Sequence, residues 1–413
     1  MTVVQDTAEA DPVLGRTGTN VQDVVTESSW APEPPLPSFA DLRVLIVHDW
    51  IVAWGGAERT LEQLLIVFPQ ADLVVGVLGE GRRDLNDITR RARESWLGRM
   101  PFARTHHRWY LPLYAAAFST VETRGYDLVV SSSHAFAKMV RASPDALHLC
   151  YCHSPPRYLW DLHAHYRRGA EASGLALRIA GPLLRLIDRL SARRVDAFLA
   201  NSLYIAERIR RCYDRDAAVV YPPVSAKPVA RRESKRDDVL LSLGRLVQYK
   251  RVDLAIEAAN HTGERLIVAG DGPERERLER LAGPSVTFLG EVTEEQAGEL
   301  MERCRAMVFC GEEDFGIAPV EANAHGLPVI AFGRGGAVES LQQGVSAEFF
   351  DTQSVDALIA ALARAQTRAW SDSDIRANAS RFSAERFREG IARQVMQLYP
   401  PAEEPVVSVG ALD

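Results

Sequence analysis

Cysteine is scarce and poorly spaced for cross-linking. The 413-residue chain has five, Cys150, Cys152, Cys212, Cys304 and Cys310, and no Cys-x-x-Cys pair. An odd number without ligand spacing argues against a disulfide framework and a zinc site, and fits a reducing compartment. Cys150 and Cys152 read as core residues on opposite sides of one strand. Long apolar runs are also missing. The best, Leu42 to Trp54, is broken by His48 and Asp49, short of the about 18 residues that a membrane-spanning helix needs. The opening Met-Thr-Val-Val-Gln-Asp lacks a basic segment followed by an apolar one, so no secretory leader is expected. Positive charge is not in excess either, the net charge being −7. A nucleic-acid partner, which calls for a strongly basic face, is therefore excluded.

The charge is unevenly distributed. Residues 1–40 carry six acids against Arg16 alone, and residues 401–413 carry three acids and no base. Between these ends, residues 41–200 hold 21 Lys and Arg against 16 Asp and Glu, while residues 201–400 hold 26 against 30. A basic half is thus joined to an acidic half. Residues 1–40, with Ala31-Pro-Glu-Pro-Pro-Leu-Pro, and residues 401–413 read as disordered tails.

Short apolar runs alternate with helical patterns from Leu42 onward, at Ala71–Leu78, Tyr126–Ser131, Leu147–Cys152 and Val195–Ala200. The alternation resumes at Val239–Gly244, Arg265–Ala269, Val286–Leu289, Ala306–Phe309 and Pro328–Ala331. Such alternation predicts α/β layers with parallel sheets. The expected organisation is an N-terminal Rossmann-like domain at 41–200 and a C-terminal one at 201–385, facing each other across a cleft. A helix at 386–400 is expected to return to the first domain.

In parallel α/β sheets ligands sit beyond the carboxyl ends of the strands. Four segments occupy such ends. After the first strand, His48-Asp-Trp-Ile-Val-Ala-Trp leads to Gly55 and Gly56, where backbone can approach an anion at a helix N-terminus. The segment is neither Gly-x-Gly-x-x-Gly nor a P-loop, which disfavours a nicotinamide dinucleotide. Gly244-Arg245-Leu-Val-Gln-Tyr-Lys250 offers two cations suited to a diphosphate, one a bidentate fork and one a point charge. Glu313-Asp-Phe-Gly-Ile-Ala-Pro-Val-Glu321 sets one carboxylate on a loop and one on the following helix, able to accept from vicinal hydroxyls. His153 follows a strand and precedes Ser-Pro-Pro-Arg.

In this order the residues resemble the retaining glycosyltransferases of family 4, which have the two-domain GT-B fold, over residues 42–400. The resemblance rests on the Gly-Gly turn, His153, Asn201-Ser202, Tyr221-Pro-Pro-Val, Gly244-Arg245 with Lys250, Val268-Ala-Gly-Asp-Gly-Pro273 and Glu313-x7-Glu321. It implies that Arg245 and Lys250 hold the donor diphosphate and stabilise the leaving group. It further implies that Glu313, with the backbone N–H groups of Phe315, Gly316 and Ile317, contacts the donor sugar, and that Glu321 binds the ribose diol. His153 would lie near the anomeric centre, Gly55 and Gly56 near the phosphates, and the backbone of Gly290 and Val292 near the base. The leaving phosphate would help deprotonate the acceptor on the same face, so that anomeric configuration is retained.

Asp314 stands where the family commonly has glycine. With His48-Asp-Trp and the run Ala331–Ala337, this resembles a subgroup of bacterial polysaccharide mannosyltransferases, which implies GDP-mannose as donor. A UDP-sugar donor and a non-catalytic nucleotide-sugar-binding or scaffold protein are the alternatives. No resident cofactor and no metal are expected, since Asp214-Arg-Asp216 and Asp372-Ser-Asp374 follow no donor-site strand. The acceptor is expected to be a saccharide or a lipid-linked saccharide. In Arg90–Tyr110, six arginines alternate with Trp96, Phe102, Trp109 and Tyr110 against Glu94 alone, a pattern that can rest on an anionic membrane surface. The expected location is the cytoplasm, with peripheral contact at the inner face of the plasma membrane.

Overall fold

The computed structural model describes residues 38–82, 86–160, 172–224 and 236–399; the two expected tails lie almost wholly outside them. The first sheet is built from β1 (Val44–His48), β2 (Asp72–Val75), β3 (Arg93–Glu94), β4 (Leu128–Ser133), β5 (Leu147–Cys152), β6 (Ala197–Ala200) and β7 (Ala218–Val219). Their order is β3-β2-β1-β4-β5-β6-β7, and every pairing is parallel. Helices cover both faces, so β1 and β4 are buried along their whole length. This is why they read as continuous apolar runs and not as alternating ones.

The second sheet contains β8 (Asp237–Leu243), β9 (Leu266–Ala269), β10 (Val286–Gly290), β11 (Cys304–Phe309), β12 (Val329–Phe332) and β13 (Ala347–Phe350). It is also all parallel, in the order β10-β9-β8-β11-β12-β13. Both sheets belong to one unit that starts at Ser38. The expected α/β architecture of two parallel-sheet domains is therefore observed.

Three expectations change. First, the boundary at residue 200 falls inside the first sheet: the helix Leu203–Tyr213 leads back to β7, which pairs with β6. The crossover to the second domain therefore follows Val219. Second, β13 was not anticipated. Its Glu348 is buried among apolar neighbours, which obscures the strand pattern, and it is held by Arg364 Nε at 2.7 Å and Arg368 Nη2 at 3.1 Å. Third, Cys150 and Cys152 face the same side of β5, in a cluster with Ala192, Phe198 and Ile205. Residues two apart in a strand share a face; Tyr151 between them points into the opposite core.

The C-terminal helix Ala384–Leu398 packs against the first domain. Phe387, Ile391 and Val395, spaced by four, pack with Leu61 and Leu64 of the helix Gly56–Val67.

Candidate active site

Strand order reverses between β1 and β4 in the first sheet and between β8 and β11 in the second. These are the switch points where loops diverge and leave a crevice. The Gly55-Gly56 turn follows β1, His134 follows β4, Gly244 follows β8 and Glu313 follows β11. A surface depression of about 630 Å³ lined by Arg43, Thr123 and Asp127 opens instead at the amino ends of β1 and β4, the wrong edge for such a site.

The donor-side loops converge on Lys250. Its Nζ lies 3.0 Å from Glu313 Oε1. Burial alone would lower the ammonium's pKa, but the Glu313 carboxylate outweighs it and holds the pKa above its ordinary value. The nearby charge of Arg245 acts in the opposite sense on Lys250, and the Arg245 side chain itself is exposed. Gly290 joins this region through the Gly270 N–H, which donates to Gly290 O at 2.6 Å. Val292 packs beside the core that holds Phe309 and Ala331.

The loop after Glu313 ends at Gly316, whose φ of 85° is the left-handed conformation that suits glycine. The helix Ile317–Ala324 starts there, and its first N–H groups have no partner within the helix. The Phe315 ring does not face the cleft. It is buried against Phe382 and Tyr221, with ring centroids 5.1 and 5.8 Å away. Phe315 can therefore serve a ligand only through its backbone.

The two halves meet at these same residues. A Cβ on Gly56 would sit 2.3 Å from Ile317 Cδ1, so any larger residue would have to displace the Ile317 side chain where the turn meets the second domain's helix. One helical step further on, Arg59 forms an ion pair with Glu321 and reaches Glu294 Oε1 at 2.5 Å. Burial would lower the Arg59 pKa, and the charges and hydrogen bonds of Glu321 and Glu294 together more than offset it. Glu321 is thus held by a cation from the opposite domain.

His153 lies on the first domain's side. Its Nε2 is 2.8 Å from Ser132 Oγ, which in turn is 3.0 Å from Nδ1 of the buried His48. Burial pushes the His153 pKa well below its ordinary value, and the nearby His134 and His48 add to the effect. The ring is therefore neutral at neutral pH, fit for hydrogen bonding to a hydroxyl and not for pairing with a charge.

Family models match both halves in sequence. That described as Glycosyltransferase Family 4 covers residues 54–227, and that described as Glycosyl transferases group 1 covers residues 225–382. Together the two glycosyltransferase family models span residues 54–382. Among similar proteins, human alpha-1,3/1,6-mannosyltransferase ALG2 is 27% identical over 235 residues, covering 48% of this chain and 54% of that protein. The GDP-mannose-dependent alpha-(1-6)-phosphatidylinositol monomannoside mannosyltransferase of Mycobacterium tuberculosis is 28% identical over 213 residues, covering 44% and 55%. The chain thus spans about half the length of the curated relatives it matches. Anabaena Alr3699/HepE in complex with UDP-glucose superposes with a TM-score of 0.64 at 19% identity, covering 86% of this chain and 99% of that one. Sucrose-phosphate synthase from Thermosynechococcus elongatus gives 0.62 at 19%, covering 86% and 98%. The architecture is that of the GT-B glycosyltransferases.

The tertiary structure adds residues that motif reading missed. Asp49 is fully buried, and its carboxylate accepts the N–H groups of His134, Ala135, Phe136 and Ala137 at 2.6 to 2.8 Å. It ties the loop after β1 to the loop after β4 at the switch point. Its position one residue past a strand was the available signal. Arg59, Ser132, Arg157 and Arg208 carried no local signal. The two Asp-x-Asp pairs have other duties. Asp216 pairs with Arg210 at 2.6 Å, and Asp214 ends the helix Leu203–Tyr213. Asp372 and Asp374 lie in the first turn of the helix Asp372–Ser380, with Ser371 as its cap.

Proposed function

We propose that the protein transfers a hexose from a nucleotide diphosphate sugar to a saccharide or lipid-linked acceptor with retention of configuration, and that the donor is GDP-mannose. The observation that carries this reading is the Lys250–Glu313 pair at 3.0 Å, set on two loops at the switch point of the second sheet. A departing diphosphate needs charge stabilisation by fixed groups in a cleft that excludes water. Lys250 and Arg245 supply it, with Glu313 and the first N–H groups of the helix Ile317–Ala324 binding the sugar. Glu321 binds the ribose diol after exchanging its Arg59 partner for the nucleotide. The neutral His153 hydrogen-bonds the sugar near the reacting carbon. Backbone at Gly290 and Val292 meets the base, and no metal or cofactor is called for.

GDP-mannose is favoured because the relatives matched in sequence are mannosyltransferases, several of them named as GDP-mannose-dependent. Titration calorimetry with GDP, UDP, ADP and dTDP on the wild type and Glu321→Ala tests the donor. Selective GDP binding, weakened by the substitution, is the expected result. Selective UDP binding would retain the activity but change the donor. No binding would favour the non-catalytic scaffold.

The membrane reading draws support from Phe102 and Trp109, which are 70% and 67% exposed. It is tempered because Arg90, Arg93 and Arg104 pair with Asp87, Asp72 and Glu94. No helix among the described residues is long and apolar enough to cross a membrane. Flotation with anionic vesicles is expected to carry the wild type and not a Phe102→Ser, Trp109→Ser variant.

A further inference from the structure

Asp314 stands where the resembled pattern commonly has glycine, and the structure gives that carboxylate partners in the opposite domain. Its Oδ1 accepts Arg157 Nη2 at 2.7 Å, Arg157 Nε at 3.2 Å and Arg208 Nη1 at 3.0 Å. Both arginines belong to the first domain, and Arg208 is only 2% exposed. We propose that Asp314, gripped by Arg157 and Arg208, is a positioning residue that holds Glu313 in register with His153 across the cleft. The inference rests on the glycosyl-transfer reading.

The connections run to the immediate neighbours of both groups. The Arg208 Nη1 that meets Asp314, the residue after Glu313, also donates to Ser154 Oγ at 3.0 Å, the residue after His153. A second path runs parallel through the backbone. Asn201 Nδ2 donates to His153 O at 2.9 Å, and the adjacent Ser202 Oγ donates to Asp314 O at 2.6 Å. Arg157 extends the clamp toward the diphosphate-binding lysine, since its guanidinium lies 5.3 Å from the ring centre of Tyr249, the residue before Lys250.

Two guanidinium groups on one carboxylate, largely out of water, make short charge-assisted bonds with defined directions. A glycine at 314 would leave both guanidinium groups without this carboxylate, and among the described residues the loop's remaining polar ties to the first domain run through its backbone and through Glu312. Glu312 Oε1 accepts from Tyr204 OH at 2.9 Å. Reacting groups drawn from two domains lose rate steeply when their spacing relaxes, on the order of 100-fold for 1 Å. The clamp therefore acts on the chemical step more than on nucleotide affinity, because the Asp314 carboxylate is engaged by Arg157 and Arg208.

The test is steady-state transfer by the full chain, with whichever of GDP-mannose or UDP-glucose the wild type turns over. The variants are Asp314→Asn, Asp314→Gly, Arg157→Ala and the double Asp314→Asn, Arg157→Ala. Calorimetric binding of the matching nucleoside diphosphate serves as the check on folding. The expected result is a fall in kcat of about 10- to 100-fold in each single variant, with donor KM and nucleotide affinity within about twofold of wild type. The double variant should be no slower than the slower single one, as for groups acting through one contact. Partial rescue of kcat by Asp314→Glu would support the carboxylate's role. Wild-type kcat in Asp314→Asn or Asp314→Gly that still binds nucleotide would overturn the proposal, as would additive losses in the double variant. A wild type that turns over neither donor would instead count against the transferase reading itself.

Discussion

The Ser132 hydroxyl lies between two imidazoles and has one proton to offer, so it donates to one ring and accepts from the other. The orientation of His153 is therefore coupled to that of the buried His48. Ser132→Ala would leave Nδ1 of His48 and Nε2 of His153 without this partner. A loss of about 1–3 kcal/mol in stability is expected from unsatisfied buried polar groups, and about a tenfold fall in kcat from the freed His153 ring. Denaturant unfolding and steady-state kinetics check both; unchanged kcat in a folded variant would show that His153 needs no such support. Motif reading found His153 because it sits at a strand end. Ser132 and His48 were brought to it by the parallel pairing of β1, β4 and β5, a long-range relation with no local signature.

At the scale of the element, β4 and β5 carry a titratable group in their shared core. His148 on β5 is fully buried, with Nε2 2.8 Å from Ser131 Oγ on β4. Burial first, and the charge of Lys138 second, lower its pKa to about 4. The unfolded chain, with an ordinary histidine pKa near 6.5, binds a proton that the folded chain refuses over this range. The stability from this group is complete above pH of about 6.5 and is lost as the pH falls toward about 4. The loss amounts to roughly 3 kcal/mol, from about 1.4 kcal/mol per pH unit. Urea unfolding between pH 7 and 4.5 should show this slope, and His148→Gln should flatten it. An equal slope in the variant would assign the pH dependence to other groups. The strands themselves were legible because a parallel strand buried on both faces is a continuous apolar run. β13 was not, because Glu348 interrupts its run and is accommodated by Arg364 of the following helix, Arg368 just beyond it and Gln343.

For the whole molecule, the C-terminal helix closes the chain back onto the first domain. Phe387 is 1% exposed, between Tyr151 and the helix Gly56–Val67 that carries the Gly55-Gly56 turn and Arg59. Phe387→Ala should cost about 3–5 kcal/mol, as for large-to-small changes in a core. It should also weaken nucleotide binding, because the packing behind that turn loosens. Calorimetric unfolding alongside nucleotide titration checks the pair; destabilisation without any change in affinity would show that the helix supports the fold alone. Glu339 of the second domain adds a further tie, accepting the N–H groups of Leu203 and Tyr204 at 2.7 and 2.8 Å at the start of a first-domain helix.

The sequence by itself determined the two parallel sheets, the strand ends where ligands bind, and the identity of Lys250, Glu313, Glu321 and His153 as candidate groups. Apolar periodicity and glycine-bearing turns are local properties, set within a few residues of one another. The domain boundary, the Arg59–Glu321 pair, the Asp49 cage and the Asp314 clamp were decided only by the tertiary structure. Each joins residues far apart in the chain, and a charge takes its meaning from the opposite charge that folding places beside it.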